Sequence, residues 1–131
     1  MKLVNVRSLT NASGHAEISA LAITLGSTIT TDPIQVNHNM GASMAMLIVI
    51  AGGAPSLDID IEVSMDGTSF YTPYTTDGAS LTAIGSVADA VAATRWIDFS
   101  DIIKLANWIR FKFLANAATT ITPTLSYQEE A

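Results

Sequence analysis

One stretch decides what this chain can become. In Leu57-Asp58-Ile59-Asp60-Ile61-Glu62-Val63-Ser64-Met65, five apolar residues alternate with four polar or acidic ones. A period of two puts Leu57, Ile59, Ile61, Val63 and Met65 on one face of a β-strand and Asp58, Asp60, Glu62 and Ser64 on the other. Asp66-Gly67 follows as a turn, because glycine reaches positive φ without a Cβ clash. Ser69-Phe70-Tyr71 then resumes an extended segment. The pattern predicts a β-hairpin with one dry face and one acidic face. The dry face must be covered, so the remaining chain must supply strands that cover it.

Those strands are legible elsewhere. Leu3, Val4 and Val6 begin a first strand or arm, and residues 1–27 are expected to be an N-terminal arm or the first strands of a sandwich formed by residues 28–131. Residues 16–25 suit a helix by their Ala and Leu and a strand by their Ile and Thr; a strand is expected. Pro33 belongs at a strand start or edge, and Ile34 and Val36 point one way. His38-Asn39-Met40-Gly41 reads as a turn. Ser43 to Ala51 lacks polar alternation and predicts a strand buried on both faces. Residues 76–95 read as a long loop holding a short strand or one helical turn. Trp96 to Phe99 is a short strand, and Ser100 to Ala106 suits one helical turn capped by Ser100. In Trp108 to Leu114, Ile109, Phe111 and Phe113 face inward while Arg110 and Lys112 face outward. Thr120 to Tyr127 is the last strand, with Pro123 marking an edge. The expected fold is all-β: a single antiparallel β-sandwich, jelly-roll-like, of about eight strands.

Composition narrows the function. Charged residues make up 14% of the chain against 49% hydrophobic, so much of the surface must be small and polar or covered by another protein. The net charge is −6, and the six Lys and Arg form no run, which excludes a phosphate-gripping surface of the usual kind. Cysteine is absent, so disulfides and thiolate metal sites are excluded. The N-terminal residues lack the apolar core of a secretory signal. The apolar run from Ser43 to Gly53 is about half of the ~20 residues a membrane helix needs. No membrane or nucleic-acid partner is expected.

No residue set predicts catalysis. Asp58, Asp60 and Glu62 lie roughly 6.5–7 Å apart along a strand face. Calcium takes six to eight oxygens that converge from a curled loop, whereas a straight strand splays its ligands. The three acids are expected to face solvent, to pair across strands with Arg110 and Lys112, or to meet a basic patch on another subunit. Asp58 and Asp60 satisfy the spacing of a glycosidase pair, but so does any alternating acidic strand. His15 and His38 are the only histidines, and both are expected on surface loops. No Gly-x-Ser-x-Gly elbow and no phosphate-binding Gly-Lys-Ser/Thr is present. Tyr71 and Tyr74 are the expected exposed aromatics, for an interface or a sugar. Met44 and Met46 are either core or a soft contact surface. No cofactor or metal is expected.

The order of the pieces carries a resemblance. Thr30-Thr31-Asp32-Pro33-Ile34-Gln35-Val36 leads into the apolar strand Met44 to Ile50, then into a Gly-Gly-Ala-Pro loop. The Ser64-Met65-Asp66-Gly67-Thr68-Ser69-Phe70 hairpin follows, and later Trp108-Ile109-Arg110-Phe111-Lys112-Phe113. Over about residues 28–127 this resembles small β-sandwich virion proteins of tailed bacteriophages. The resemblance implies a non-enzymatic structural role in the virion. The expected form is a capsid decoration or cement subunit that contacts the major capsid protein or another virion protein. It is expected to assemble with copies of itself, a trimer being favoured. The alternatives are a tail or fibre component, or a carbohydrate- or receptor-binding module.

Overall fold

A computed structural model of the chain describes residues 2–36, 40–102 and 106–130; within these, side chains are described except at 2–5, 40–42, 77 and 128–130. Two five-stranded antiparallel sheets face each other. The first contains β1 (Lys2–Ser8), β2 (Leu21–Ile23), β5 (Met40–Ala51), β10 (Ala93–Asp98) and β12 (Thr119–Glu130). The second contains β3 (Thr28–Thr30), β4 (Ile34–Gln35), β6 (Leu57–Ser64), β9 (Val87–Asp89) and β11 (Trp108–Ala115). A separate ribbon, β7 (Tyr74–Asp77) with β8 (Ser80–Ala83), projects between β6 and β9 in the chain.

The strand orders are β1-β12-β5-β10 and β3-β11-β6-β9, with β2 added on β12 and β4 added on β11. Eight strands therefore form the frame, and successive ones alternate between sheets except at one point, from β6 to β9. This is the jelly-roll arrangement of two interlocked Greek keys. The four extra strands are short, which is why a periodicity count misses them. Two strands of the N-terminal region belong to the first sheet: β1 pairs with β12 from Lys2↔Glu130 to Ser8↔Thr124, and β2 pairs with its other end.

The core is the seam between the sheets. Met44, Met46, Ile48 and Ile50 of β5, with Ile121 and Leu125 of β12, meet Leu57, Ile59 and Ile61 of β6 and Ile109, Phe111 and Phe113 of β11. Phe111 packs tilted against Phe99 and stacked along Phe113. Thr31 is the buried polar group that matters here. Its hydroxyl accepts the Phe111 amide while the two backbones exchange Thr31 N–H to Phe111 C=O, so β11 stays paired beyond the end of β3.

Several expectations are corrected. β5 is buried on one face only: Leu47 and Val49 are exposed, because among the described residues nothing covers the outside of the first sheet there. Met44 and Met46 are core residues, 1% and 0% exposed, and not a soft contact surface. Met65 is exposed, because β6 ends at Ser64 and the period stops with it; Ser64 turns inward instead. Pro123 is not on an edge, since β12 runs between β1 and β5. On one flank it falls in the gap between the stretch paired to β2, ending at Ile121, and the stretch paired to β1, beginning at Thr124. Residues 76–95 hold β8, β9 and parts of β7 and β10 in place of a loop. Over 16–25 the expected strand does form, as the three residues of β2. Met40 and Gly41 open β5 and are not a turn; His38 and Asn39 lie outside the described residues. Of the expected helical turn, Ile102 is in a 3₁₀ conformation, and 103–105 lie outside the described residues.

Candidate interaction surfaces

The outer faces of the two sheets differ in charge. On β6, Asp58, Asp60 and Glu62 point outward, as alternation requires. The register sets Glu62 opposite Arg110 and Asp60 opposite Lys112. Arg110 Nε donates to Glu62 Oε1 at 2.8 Å, and its guanidinium lies 4.3 Å from the centre of the Phe70 ring. Asp60 accepts from the Ser86 hydroxyl at 2.8 Å, and Asp58 from the Asn116 amide at 3.0 Å. Each acid thus has a separate donor, and the three do not converge on a point. Among the described residues no group of three or more His, Asp or Glu is placed to hold a metal ion.

The turn after β6 is tightly built. Ser64 Oγ accepts the amides of Asp66 and Gly67 and donates to Asp66 Oδ1. The same oxygen accepts the amides of Ser69 and Thr68. These donors, Ser69 first, hold the Asp66 carboxyl down at about 2. The folded value lies below the ordinary 3.8, so this carboxylate stabilises the fold above about pH 4 and loses that contribution as pH falls towards 2. Asp66→Asn is expected to lower stability at pH 7 and to flatten its dependence on pH between about 4 and 2. Urea midpoints measured across that range check it.

Beside this turn lies a groove of about 390 Å³ lined by Val63, Met65, Asp66, Ser69 and Tyr71. Tyr71 is well exposed and held by a pair of backbone hydrogen bonds to Val63. Tyr74 is also exposed but sits on the ribbon, opposite Ala83, and does not line the groove. The two tyrosines expected to act together are on different elements.

Among the described side chains, the outer face of the first sheet across β12, β5 and β10 is nearly free of charge. Its outward rows run Thr124–Leu47–Trp96, Thr122–Val49–Thr94 and Ser126–Ala45–Asp98 across β12, β5 and β10. Trp96 is 65% exposed. Asp98 is the one charge on these rows, and its Oδ1 accepts both the hydroxyl and the amide of Ser100, which holds its carboxyl below the usual range. Beside Trp96 is a hollow of about 470 Å³ bounded by Ser43, Ala45, Asp98, Ser100 and Ser126. Sequence reading missed this face, because an apolar run looks the same whether its second side meets a core or open solvent. The alternation of Thr120, Thr122 and Thr124 in β12 was the available signal.

A further cluster was also missed. His15 Nδ1 lies 2.7 Å from Asp32 Oδ1, and Asp32 Oδ2 accepts the Thr10 hydroxyl at 2.6 Å. The Thr10 hydroxyl, then His15, holds the Asp32 carboxyl below its ordinary value. His15 adopts φ 57°. These contacts tie the turn after Thr10 to the chain after β3. His15 is exposed, as expected; His38 lies outside the described residues.

No family model and no curated protein matches the chain. Solved structures do. The SPBc2 prophage-derived protein YomS is similar over 98% of this chain and 96% of its own, with TM-score 0.53 and 12% identity. A family two carbohydrate esterase from Cellvibrio japonicus is similar over 99% of this chain but only 35% of its own, with TM-score 0.41 and 10% identity. The first likeness shows that the fold is shared end to end with a prophage-derived protein.

Proposed function

We propose that the chain is a non-enzymatic bacteriophage virion protein, specifically a capsid decoration or cement subunit that stabilises the head through contacts with coat protein and with copies of itself. The observation that carries this reading is the end-to-end likeness to a prophage-derived protein of nearly the same extent. The surface agrees with it. The acids that invited catalysis each have a structural donor, while wide uncharged sheet area is left for protein contact. Its action is passive: area buried between neighbouring subunits adds stabilisation, multiplied over symmetric copies. The test is co-sedimentation with coat-protein shells of a phage that carries this sequence, followed by heating of the shells. Binding that raises the shell disruption temperature is expected. Shells that neither bind nor gain stability would overturn the reading.

One observation favours a second reading, recognition of a sugar or a surface receptor. Tyr71 stands exposed beside the groove, and among the described residues no donor reaches Asp66 Oδ2. An aromatic face next to a free carboxylate oxygen suits a sugar ring and its hydroxyls. Glycan-array binding that disappears in Tyr71→Ala would establish it, and a blank array would remove it.

A further inference from the structure

The uncharged face of the first sheet carries a knob and a hole side by side. The knob is Trp96. The hole is the adjoining hollow, which is open because Ser43, Ala45, Ser100 and Ser126 are all small. A surface that carries both is self-complementary, and self-complementary patches pair across a twofold axis. We propose that two copies of this chain pack through these faces, each Trp96 filling the hollow of the other.

Three observations select a second copy as the occupant. The first is shape: an indole is a large flat group, and the hollow beside it has room for another. The second is charge. At net −6, two copies repel wherever their acidic surfaces meet, and the rows around Trp96 carry only Asp98. A basic or acidic partner would gain nothing from such a face, whereas an identical neutral face loses nothing on meeting it. The third is polar pairing. Asp98 Oδ1 accepts both the amide and the hydroxyl of Ser100, and among the described residues no donor reaches Oδ2. Asp98 is part of the wall of the hollow, and its second oxygen is left to accept the indole N–H of the incoming Trp96.

The size of the face sets the strength. Four strands about 4.8 Å apart and about seven residues long give a patch of roughly 20 by 20 Å. This falls below the ~800 Å² per partner of a standard complex, so the pair is concentration-dependent. The arrangement makes twofold pairs in place of the threefold assembly expected from the sequence, and it does not depend on the virion reading.

Sedimentation velocity on the full chain across a wide concentration range tests the pairing. Wild type is expected to approach twice the chain mass. Trp96→Ala removes the knob and Ala45→Leu fills the hole; each is expected to weaken association by on the order of 30-fold or more. Both positions face outward, so each variant should melt close to wild type, and Ala45→Leu decides the matter if Trp96→Ala does not fold. A wild type that stays monomeric at every concentration, or forms threes, overturns the proposal. So does pairing that survives in the folded variants. Coat binding is scored separately, so loss of one result leaves the other standing.

Discussion

Phe111→Ala is expected to remove about 3–5 kcal/mol of stability, the largest effect of any single truncation in this fold. Phe111 is fully buried at the middle of β11, between the β3 and β6 sides of the second sheet. Its ring sits 5.4 Å from Phe99 and 6.4 Å from Phe113, so truncation leaves two aromatic rings facing a void. The surrounding strands are hydrogen-bonded on both sides of β11 and cannot close on the gap without breaking register. A domain of this size holds only about 5–15 kcal/mol in total, so the variant should be partly unfolded at 37 °C. Urea denaturation at 25 °C measures the loss. Leu47→Ala, on the exposed face of β5, is the control and is expected to change stability by less than about 0.5 kcal/mol. A Phe111→Ala midpoint within error of that control would show that the seam between the sheets is not where the fold is held.

Gly67→Ala is expected to cost about 2–5 kcal/mol, a sum of two separable parts. Gly67 has φ 80°, a conformation that costs any other L-residue roughly 1–2 kcal/mol. An added Cβ would also lie 2.9 Å from Trp108 Cε2 and 3.1 Å from Cδ2. A rigid indole set at the start of β11 must then move, which adds an overpacking cost of about 1–3 kcal/mol. Gly26→Ala separates the two parts, because Gly26 has φ 76° and nothing within 4 Å of the added carbon. The difference between the two midpoints is the packing of Trp108 on the turn. Equal losses would mean that Trp108 moves freely, and that the turn is held by Asp66 and Ser64 alone.

The contrast between these sites shows what periodicity can reveal. The inward set of β6 and the run Ile109, Phe111, Phe113 announced themselves, because each alternates with charge and only one face can be dry. β5 did not, because its outward Leu47 and Val49 are as apolar as its inward Met46 and Ile48. Met65 was misplaced by extending a period past the residue where the turn begins. Pro123 was assigned to an edge because the rule concerns missing donors, while the chain meets it with a gap between two short partners. The acidic stripe faces outward as its alternation required; of the alternatives open for it, pairing with Arg110 is met at Glu62, while Asp60 bonds Ser86. The pairs formed by distant residues, His15 with Asp32 and Asp60 with Ser86, have no local signature. Their side chains meet only because the sheets bring them together, and so does the hollow beside Trp96.

The position of β12 has a consequence for how the protein is made. This strand lies inside the first sheet, between β1 and β5, yet it leaves the ribosome after both of them. Until it emerges, β1 has no neighbour to pair with and β5 lacks the partner on its long flank. Folding must therefore wait for the C-terminal segment, and a nascent chain carries two unsatisfied strand edges while it waits. A truncated product that stops before Thr119 loses the middle of a sheet and not its margin. Such products are expected to aggregate or be degraded, which leaves only chains with an intact β12 to enter an assembly.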